Sequence, residues 1–231
     1  MGENALADVR AALRRLLPPG VASSAGAVSA DYPPLAPAEV GGTAQMRSRR
    51  LREFSAGRAH ARKALQELGL PSPVIPVGTD RAPLWPPGFV GSISHAGDLV
   101  IVAATTSSVV PAIGVDLEPS IPLDLDLLNR ICRPEEVTRL RSLPSPLHRA
   151  KLVFSAKESV YKCVAPLLGI FLEFGDVEIV FGADDEGFCA RGHGPAEGLI
   201  STETIVGRFS AAGGYWLTVA WQQPGTRGAH R

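Results

Sequence analysis

The chain is poor in cysteine, carries no net charge and has no long apolar run. Its three cysteines, Cys132, Cys163 and Cys189, are odd in number and lack CxxC spacing. That argues against a disulfide framework or a zinc knuckle and fits a reducing, cytoplasmic compartment. Lys and Arg total 23, as do Asp and Glu, which disfavours a globally basic nucleic-acid binder. No stretch approaches about 18 uncharged apolar residues, so no membrane span is expected. Residues 1–17 carry acids and no apolar core of the signal-peptide kind. The sequence has no GxxxxGK[ST] loop, no GxGxxG after a strand, no GxSxG elbow and no HExxH, so none of those chemistries has its usual signature.

What is present is a chain of 231 residues, 45% hydrophobic, enough for one large domain or two small ones. Gly (24) and Pro (20) are abundant, which predicts many loops and short elements. Helical spacing predicts a helix over 3–17, stopped by Pro18-Pro19-Gly20, and a second over 43–69. Residues 18–37 read as a loop. Prolines at 71, 73, 76, 83, 86 and 87 preclude a long helix or central strand there. Strand-like runs follow at 89–95, 99–106 and 112–117, with Gly97-Asp98 as a hairpin turn. Short helices are expected at 124–130 and 135–142 and a longer one at 147–164. β character returns at 177–181, 188–190, 204–211 and 215–222, before a tail over 224–231. The order predicts an α+β fold with two similar halves meeting near 112–120. The expected division is 1–115, 116–223 and the tail.

Three constellations could carry chemistry. In Gly114-Val115-Asp116-Leu117-Glu118-Pro119, a strand's period of two puts Asp116 and Glu118 on one face. A hard cation such as Mg²⁺ would relieve their repulsion; two solvated acids at a strand end is the plainer reading. On the predicted helix 147–164, Lys151, Ser155, Glu158 and Lys162 share one face, opposite an apolar face that includes Phe154 and Val160. Glu158 and Lys162 could be an exposed i, i+4 ion pair worth a few tenths of a kcal/mol, or a third metal carboxylate with a cation for a phosphate. On the helix 43–69, Arg58 interrupts the apolar stripe Leu51, Phe54, Ala61, Leu65 and Leu68, with Arg50 and Arg62 flanking it. A charge there must snorkel, pair with a carboxylate, or meet a phosphate. Ser94 and His95 close a strand before a turn, where His95 could make a local bond or meet an anion.

Taken together, five segments resemble the 4′-phosphopantetheinyl transferases of the surfactin/enterobactin synthetase type. They are Phe-Ser-Ala-Gly-Arg-Ala-His-Ala-Arg-Lys-Ala-Leu (54–65), Arg-Ala-Pro-Leu-Trp-Pro (81–86), Gly-Ser-Ile-Ser-His (91–95), Gly-Val-Asp-Leu-Glu (114–118) and Phe-Ser-Ala-Lys-Glu-Ser-Val-Tyr-Lys (154–162). Each is weak alone; their order over about 47–181 is specific. The family's last motif commonly begins with Trp, and here Phe154 stands in that place.

The resemblance implies two similar α+β subdomains packed side by side, with the active site in the cleft between them. It implies transfer of the phosphopantetheine arm of coenzyme A to a serine of an apo acyl or peptidyl carrier protein, with release of adenosine 3′,5′-bisphosphate. Asp116, Glu118 and Glu158 would hold Mg²⁺; Glu158 and Lys162 would act in catalysis. Arg50, Arg58, Ser94 and His95 would contact the coenzyme's phosphates, and Arg81 and Lys157 match motif positions there. It also implies a monomer acting without nucleic acid or membrane. The alternatives are a non-catalytic coenzyme A or nucleotide-binding module, or a metal-dependent phosphodiesterase.

Overall fold

The computed structural model describes residues 3–41, 43–78, 81–183 and 186–225. It contains α1 (Glu3–Leu16), β1 (Ala22–Ala27), α2 (Ser48–Glu67), β2 (Phe89–Ala96), β3 (Leu99–Thr106) and β4 (Ile113–Pro119). The second half holds α3 (Leu125–Ile131), α4 (Pro134–Arg141), α5 (Pro146–Leu168), β5 (Val177–Phe181), β6 (Gly187–Gly192), β7 (Ile205–Ala212) and β8 (Tyr215–Gln222). The fold is α+β. One antiparallel sheet has the order β1-β3-β2 and the other β4-β8-β7-β6-β5.

Alternation along the strands decides which helix each face receives. On β3, Leu99, Ile101 and Ala103 join the core beneath α1. Val102 and Ala104 pack with Ala61, Ala64 and Leu65 of α2. On β4, Ile113, Val115 and Leu117 take the α1 side, so Gly114, Asp116 and Glu118 take the α5 side. α1 lies against β1, β7 and β8 and places Val9 and Leu13 in one core with those residues of β3 and β4 and with Leu217 and Val219 of β8. That shared core ties the two sheets edge to edge.

β4 pairs along its whole length with β8, from Ile113↔Trp221 to Pro119↔Tyr215. The strand therefore spans the expected 115/116 division and hydrogen-bonds within the second sheet. Its other edge faces β2, where serine hydroxyls replace a strand ladder. The Val115 N–H donates to Ser92 Oγ (3.0 Å) and the Leu117 N–H to Ser94 Oγ (3.3 Å).

Two expectations need correction. β1 lies inside the expected loop 18–37: its sequence Ala-Ser-Ser-Ala-Gly-Ala has little β propensity, and pairing with β3 makes it a strand. The last helix runs past 164 through Pro166 to Leu168. Pro166 falls in the final turn, and Gly169 ends the helix in the left-handed region at φ 61°, a common C-terminal device.

Gly114 fixes how closely α5 approaches β4. A Cβ there would lie 1.9 Å from the Ser159 carbonyl oxygen and 2.7 Å from the Cys163 nitrogen. Helix backbone cannot yield as a flexible side chain can. Gly114→Ala is therefore expected to cost about 3 kcal/mol, the upper part of the range for overpacking, read from the midpoint and slope of urea unfolding. Unfolding indistinguishable from wild type would contradict this close approach.

His60 of α2 is buried and neutral. Burial, then Lys63 and Arg10, push its pKa down to about 4. The unfolded imidazole, near 6.5, takes up a proton that the folded one refuses. Stability should therefore be unaffected above pH 6.5 and fall as pH drops from 6.5 towards 4, by roughly 3 kcal/mol in full. His60→Gln should flatten that part of the stability–pH curve; an unchanged curve would contradict the assignment.

Candidate active site

The cleft lies where β2 meets β4, with α2 and α5 on its two sides. Asp116 is its centre and is 3% exposed. Its Oδ1 accepts from Ser94 Oγ (2.9 Å) and Lys162 Nζ (2.6 Å), and its Oδ2 from Ser155 Oγ (2.8 Å). Thr218 of β8 donates to the Ser155 carbonyl at 2.9 Å. Two residues along β4, Glu118 pairs with Lys151 Nζ at 2.5 Å. That ammonium also sits 4.8 Å from the Phe154 ring centroid. The polar face of α5 thus docks on the carboxylate face of β4. Lys162 pairs with Asp116 rather than with Glu158: helical spacing permits the local pair, but the tertiary partner wins.

Glu158 stands beside these groups. Burial raises its carboxyl pKa; Lys162 opposes that rise, while Asp116 and Glu118 add to it. Under-neutralised carboxylate charge of this kind favours a cation or a proton. Among the described residues no three His, Cys, Asp or Glu side chains form a ready-made ligand cluster, and lysines hold two of the three carboxylates. The donor set still suits a hard, oxygen-seeking divalent ion.

Cations line the α2 side. Arg50 Nη1 donates to His95 Nε2 at 2.7 Å. Glu53 receives Arg49 at 3.1 Å and Arg50 at 3.5 Å, with His95 at 3.7 Å. Burial lowers the His95 pKa, as do Arg50 and Lys162; Glu53 opposes them. Burial works against ionisation of Glu53, but His95, Arg49 and Arg50 together hold its carboxyl below the ordinary range. Arg58 is 4% exposed, stacked 4.4 Å from the Phe54 ring centroid. One Nη reaches the Pro76 carbonyl at 3.4 Å, and its buried Nε has no partner among the described residues. Burial lowers the Arg58 pKa to about 10; Glu39 opposes the shift, and Arg62 and Arg50 add to it. Arg62 itself is paired with the fully buried Glu39.

The structure therefore gathers Arg50, Ser94, His95, Asp116, Glu118, Glu158 and Lys162 around one cleft, with Arg58 buried beneath α2. Two further expected coenzyme contacts differ in their surroundings. Arg81 is exposed in a turn at φ 68°. Lys157 is 2% exposed and points away from Asp116. It donates to Glu136 (2.7 Å), the Ile131 carbonyl (2.8 Å) and the Phe174 carbonyl (2.9 Å). Those three bonds use every ammonium proton, so a phosphate contact is not retained for Lys157.

Sequence reasoning missed Glu53, Ser92 and Glu136 as organising residues. Glu53 was findable, three and four residues after Arg50 and Arg49. Glu136 was findable only as a local cap on the Arg133 N–H; its other partners, the Ile179 N–H and Lys157, are distant in the chain.

Carboxylates at a strand end with cations on both flanking helices make a cleft suited to a polyphosphate and its counter-ion. Comparison with known proteins specifies the kind. Residues 37–105 match the 4′-phosphopantetheinyl transferase N-terminal domain, and residues 112–220 the 4′-phosphopantetheinyl transferase superfamily. The chain is 36% identical over 190 residues to 4′-phosphopantetheinyl transferase Svp of Streptomyces mobaraensis, covering 80% of this chain and 77% of that one. It is 34% identical over 220 residues to 4′-phosphopantetheinyl transferase Npt of Nocardia iowensis, covering 89% and 97%. It is 35% identical over 145 residues to 4′-phosphopantetheinyl transferase PptT of Mycobacterium tuberculosis, covering 62% and 64%. The chain belongs to the 4′-phosphopantetheinyl transferase superfamily. Among its described residues no helix is long and apolar enough to cross a membrane.

Proposed function

We propose that this protein moves the 4′-phosphopantetheine arm of coenzyme A onto a serine of an apo acyl or peptidyl carrier protein. Adenosine 3′,5′-bisphosphate is the other product. The observation that carries this reading is the cleft in which Asp116, Glu118 and Glu158 lie between the cations of α2 and those of α5. We read the seam at β4 as the junction of two α+β units, near the division of 1–115 from 116–223.

In this reading Asp116, Glu118 and Glu158 would hold Mg²⁺ in place of part of the charge that Lys162 and Lys151 now neutralise. When bound, the ion neutralises pyrophosphate oxygens and the charge that grows on the leaving phosphate. The chain's own residues do the rest. Arg50, His95 and Ser94 orient the phosphates from the α2 and β2 side. Arg58 offers its unpartnered buried Nε to the 3′-phosphate, and Arg81 reaches a phosphate from its exposed turn. Lys162 supplies positive charge beside the bond that breaks. Glu158, whose environment favours a proton, accepts the one released by the carrier serine, directly or through water. The serine Oγ–P bond forms, the pyrophosphate P–O bond breaks, and its electron pair leaves with adenosine 3′,5′-bisphosphate. An open, largely apolar cavity of about 760 Å³ beside Glu158, walled by Phe154, Tyr161, Phe171 and Phe174, gives the pantetheine arm an apolar surface to lie on.

The free thiols Cys132 and Cys163 are buried, and burial pushes both up to about 12. That the described cysteines are free rather than bridged fits the reducing cytoplasm we read for this protein. We read the enzyme as a monomer that meets its carrier transiently, without nucleic acid or membrane.

The test is chromatographic. With coenzyme A, Mg²⁺ and an apo carrier, adenosine 3′,5′-bisphosphate should appear as coenzyme A disappears, and neither should change without carrier. Loss of coenzyme A without carrier would replace this reading with a phosphodiesterase. Arg58→Ala is expected to weaken coenzyme A binding about tenfold, as for a lost charge-assisted contact, and 3′-dephospho-coenzyme A little. Equal losses by calorimetry would remove the 3′-phosphate assignment.

A further inference from the structure

A second polar pocket, of about 190 Å³, lies at the outer edge of the first sheet. The β1-β3-β2 order puts it at the edge away from the cleft. Ser24 of β1 and His60 of α2 line it, with Arg10 and Arg14 of α1 above and Lys63 and Glu67 of α2 beside. Three cations face one acid. Arg10 Nε is engaged by the Ala25 carbonyl at 2.9 Å. Among the described residues Arg14, Lys63 and Glu67 have no ion-pair partner.

Beneath these charges runs a directional relay. Tyr32 Oη donates to the Ala27 carbonyl at 2.5 Å. Its oxygen is therefore the acceptor for His60 Nε2–H at 3.0 Å. His60 Nδ1 is then unprotonated and accepts the Ser24 hydroxyl at 2.7 Å. Gly26 makes room for the ring: a Cβ there would lie 2.2 Å from His60 Nε2. The charges acting on His60 are Lys63 and Arg10, while Asp98 acts on Tyr32. No carboxylate within the relay competes for a proton.

We propose that this pocket binds a tetrahedral dianion, a phosphate or phosphate monoester, and that occupancy draws a proton onto His60. The guanidinium of Arg14 and the ammonium of Lys63 match such an anion in charge and donors. Once His60 is protonated, Nδ1–H donates to Ser24 Oγ and the Ser24 hydroxyl hydrogen turns to the anion. No heavy atom needs to move. Tyr32 keeps accepting from Nε2 and donating to Ala27. The proton comes from solvent, and the anion supplies the negative charge that the relay lacks.

The His60 Cε1–H proton resonance of the full chain, assigned with His60→Gln, reads this site locally. Sulfate is the first probe, because its charge is constant over the working pH range. At fixed ionic strength, sulfate should move the signal saturably and raise its titration midpoint by about one unit, a tenfold linkage between proton and anion. The Arg14→Ala/Lys63→Ala protein, altered only at exposed side chains, should keep the His60 signal and lose both effects. Arg50→Ala, in the cleft, should keep both. A response no larger than chloride gives, a double variant that responds like wild type, or loss of the response in Arg50→Ala would overturn the proposal. Inorganic phosphate and adenosine 3′,5′-bisphosphate, titrated against the same signal, separate a free ion from one carried on a nucleotide.

Discussion

Glu158→Gln is expected to lower phosphopantetheinyl transfer about 10³-fold, the middle of the range for removing a positioned general base. The amide keeps the shape and loses both the proton acceptor and one negative charge. The fold should survive, because Glu158 is only partly buried and its neighbours Asp116 and Glu118 repel it rather than pair with it. Single-turnover transfer and a circular dichroism melt, measured together, separate chemistry from folding. Coenzyme A affinity should change far less than the rate. Turnover within tenfold of wild type, with an unchanged melt, would remove Glu158 from the proposed chemistry.

The second large effect falls on stability and on the neighbouring residue. Lys157→Met should destabilise the protein by about 3–5 kcal/mol, the cost of breaking a buried pair from one side. Burial lowers the Lys157 pKa, and Glu136 opposes that shift, so the ammonium depends on its partner. Removing it leaves a carboxylate that is 2% exposed with the N–H groups of Arg133 and Ile179 as its remaining donors. Lys157→Met/Glu136→Gln should recover part of the loss, because the amide is neutral and its single oxygen still accepts from one of those two N–H groups. Guanidinium unfolding measures both. The folded fraction of Lys157→Met should bind coenzyme A within a few-fold of wild type. Unchanged stability with a collapse in coenzyme A affinity would return Lys157 to the coenzyme site.

These adjacent residues mark what the sequence could and could not convey. Period two on β4 placed Asp116 and Glu118 on one face, and helical spacing placed Lys151, Ser155, Glu158 and Lys162 on another. Both patterns are local, and both elements formed. The pairing between the faces was not readable. A sequence shows that Lys162 can reach Glu158 one turn away, but not that Asp116 comes within 2.6 Å of it. Lys157 shared a motif with Glu158 yet points the other way, since consecutive helix positions diverge by about 100°.

The same divide runs through the fold. β3 is apolar from Leu99 to Ala104 and buried on both faces, and its limits, 99–106, were legible. β1 was not: its small residues signal no strand, and only β3 makes it one. Arg58 was conspicuous as a charge in an apolar stripe. That it would be buried with an unpartnered Nε followed only from tertiary packing, which brings the Pro76 carbonyl to it. Glu39 and Glu136 organise loops by accepting from backbone N–H groups at Ile75 and Ile179, and such partners leave no side-chain signature.

The central claim is group transfer to a carrier, and intact mass tests it most directly. The protein would be incubated with coenzyme A, Mg²⁺ and a panel of apo acyl and peptidyl carrier proteins. The account predicts that at least one carrier gains the mass of a single phosphopantetheine group on serine, and that EDTA abolishes the gain. No gain on any carrier, while coenzyme A still binds, would contradict it and leave a coenzyme-binding module.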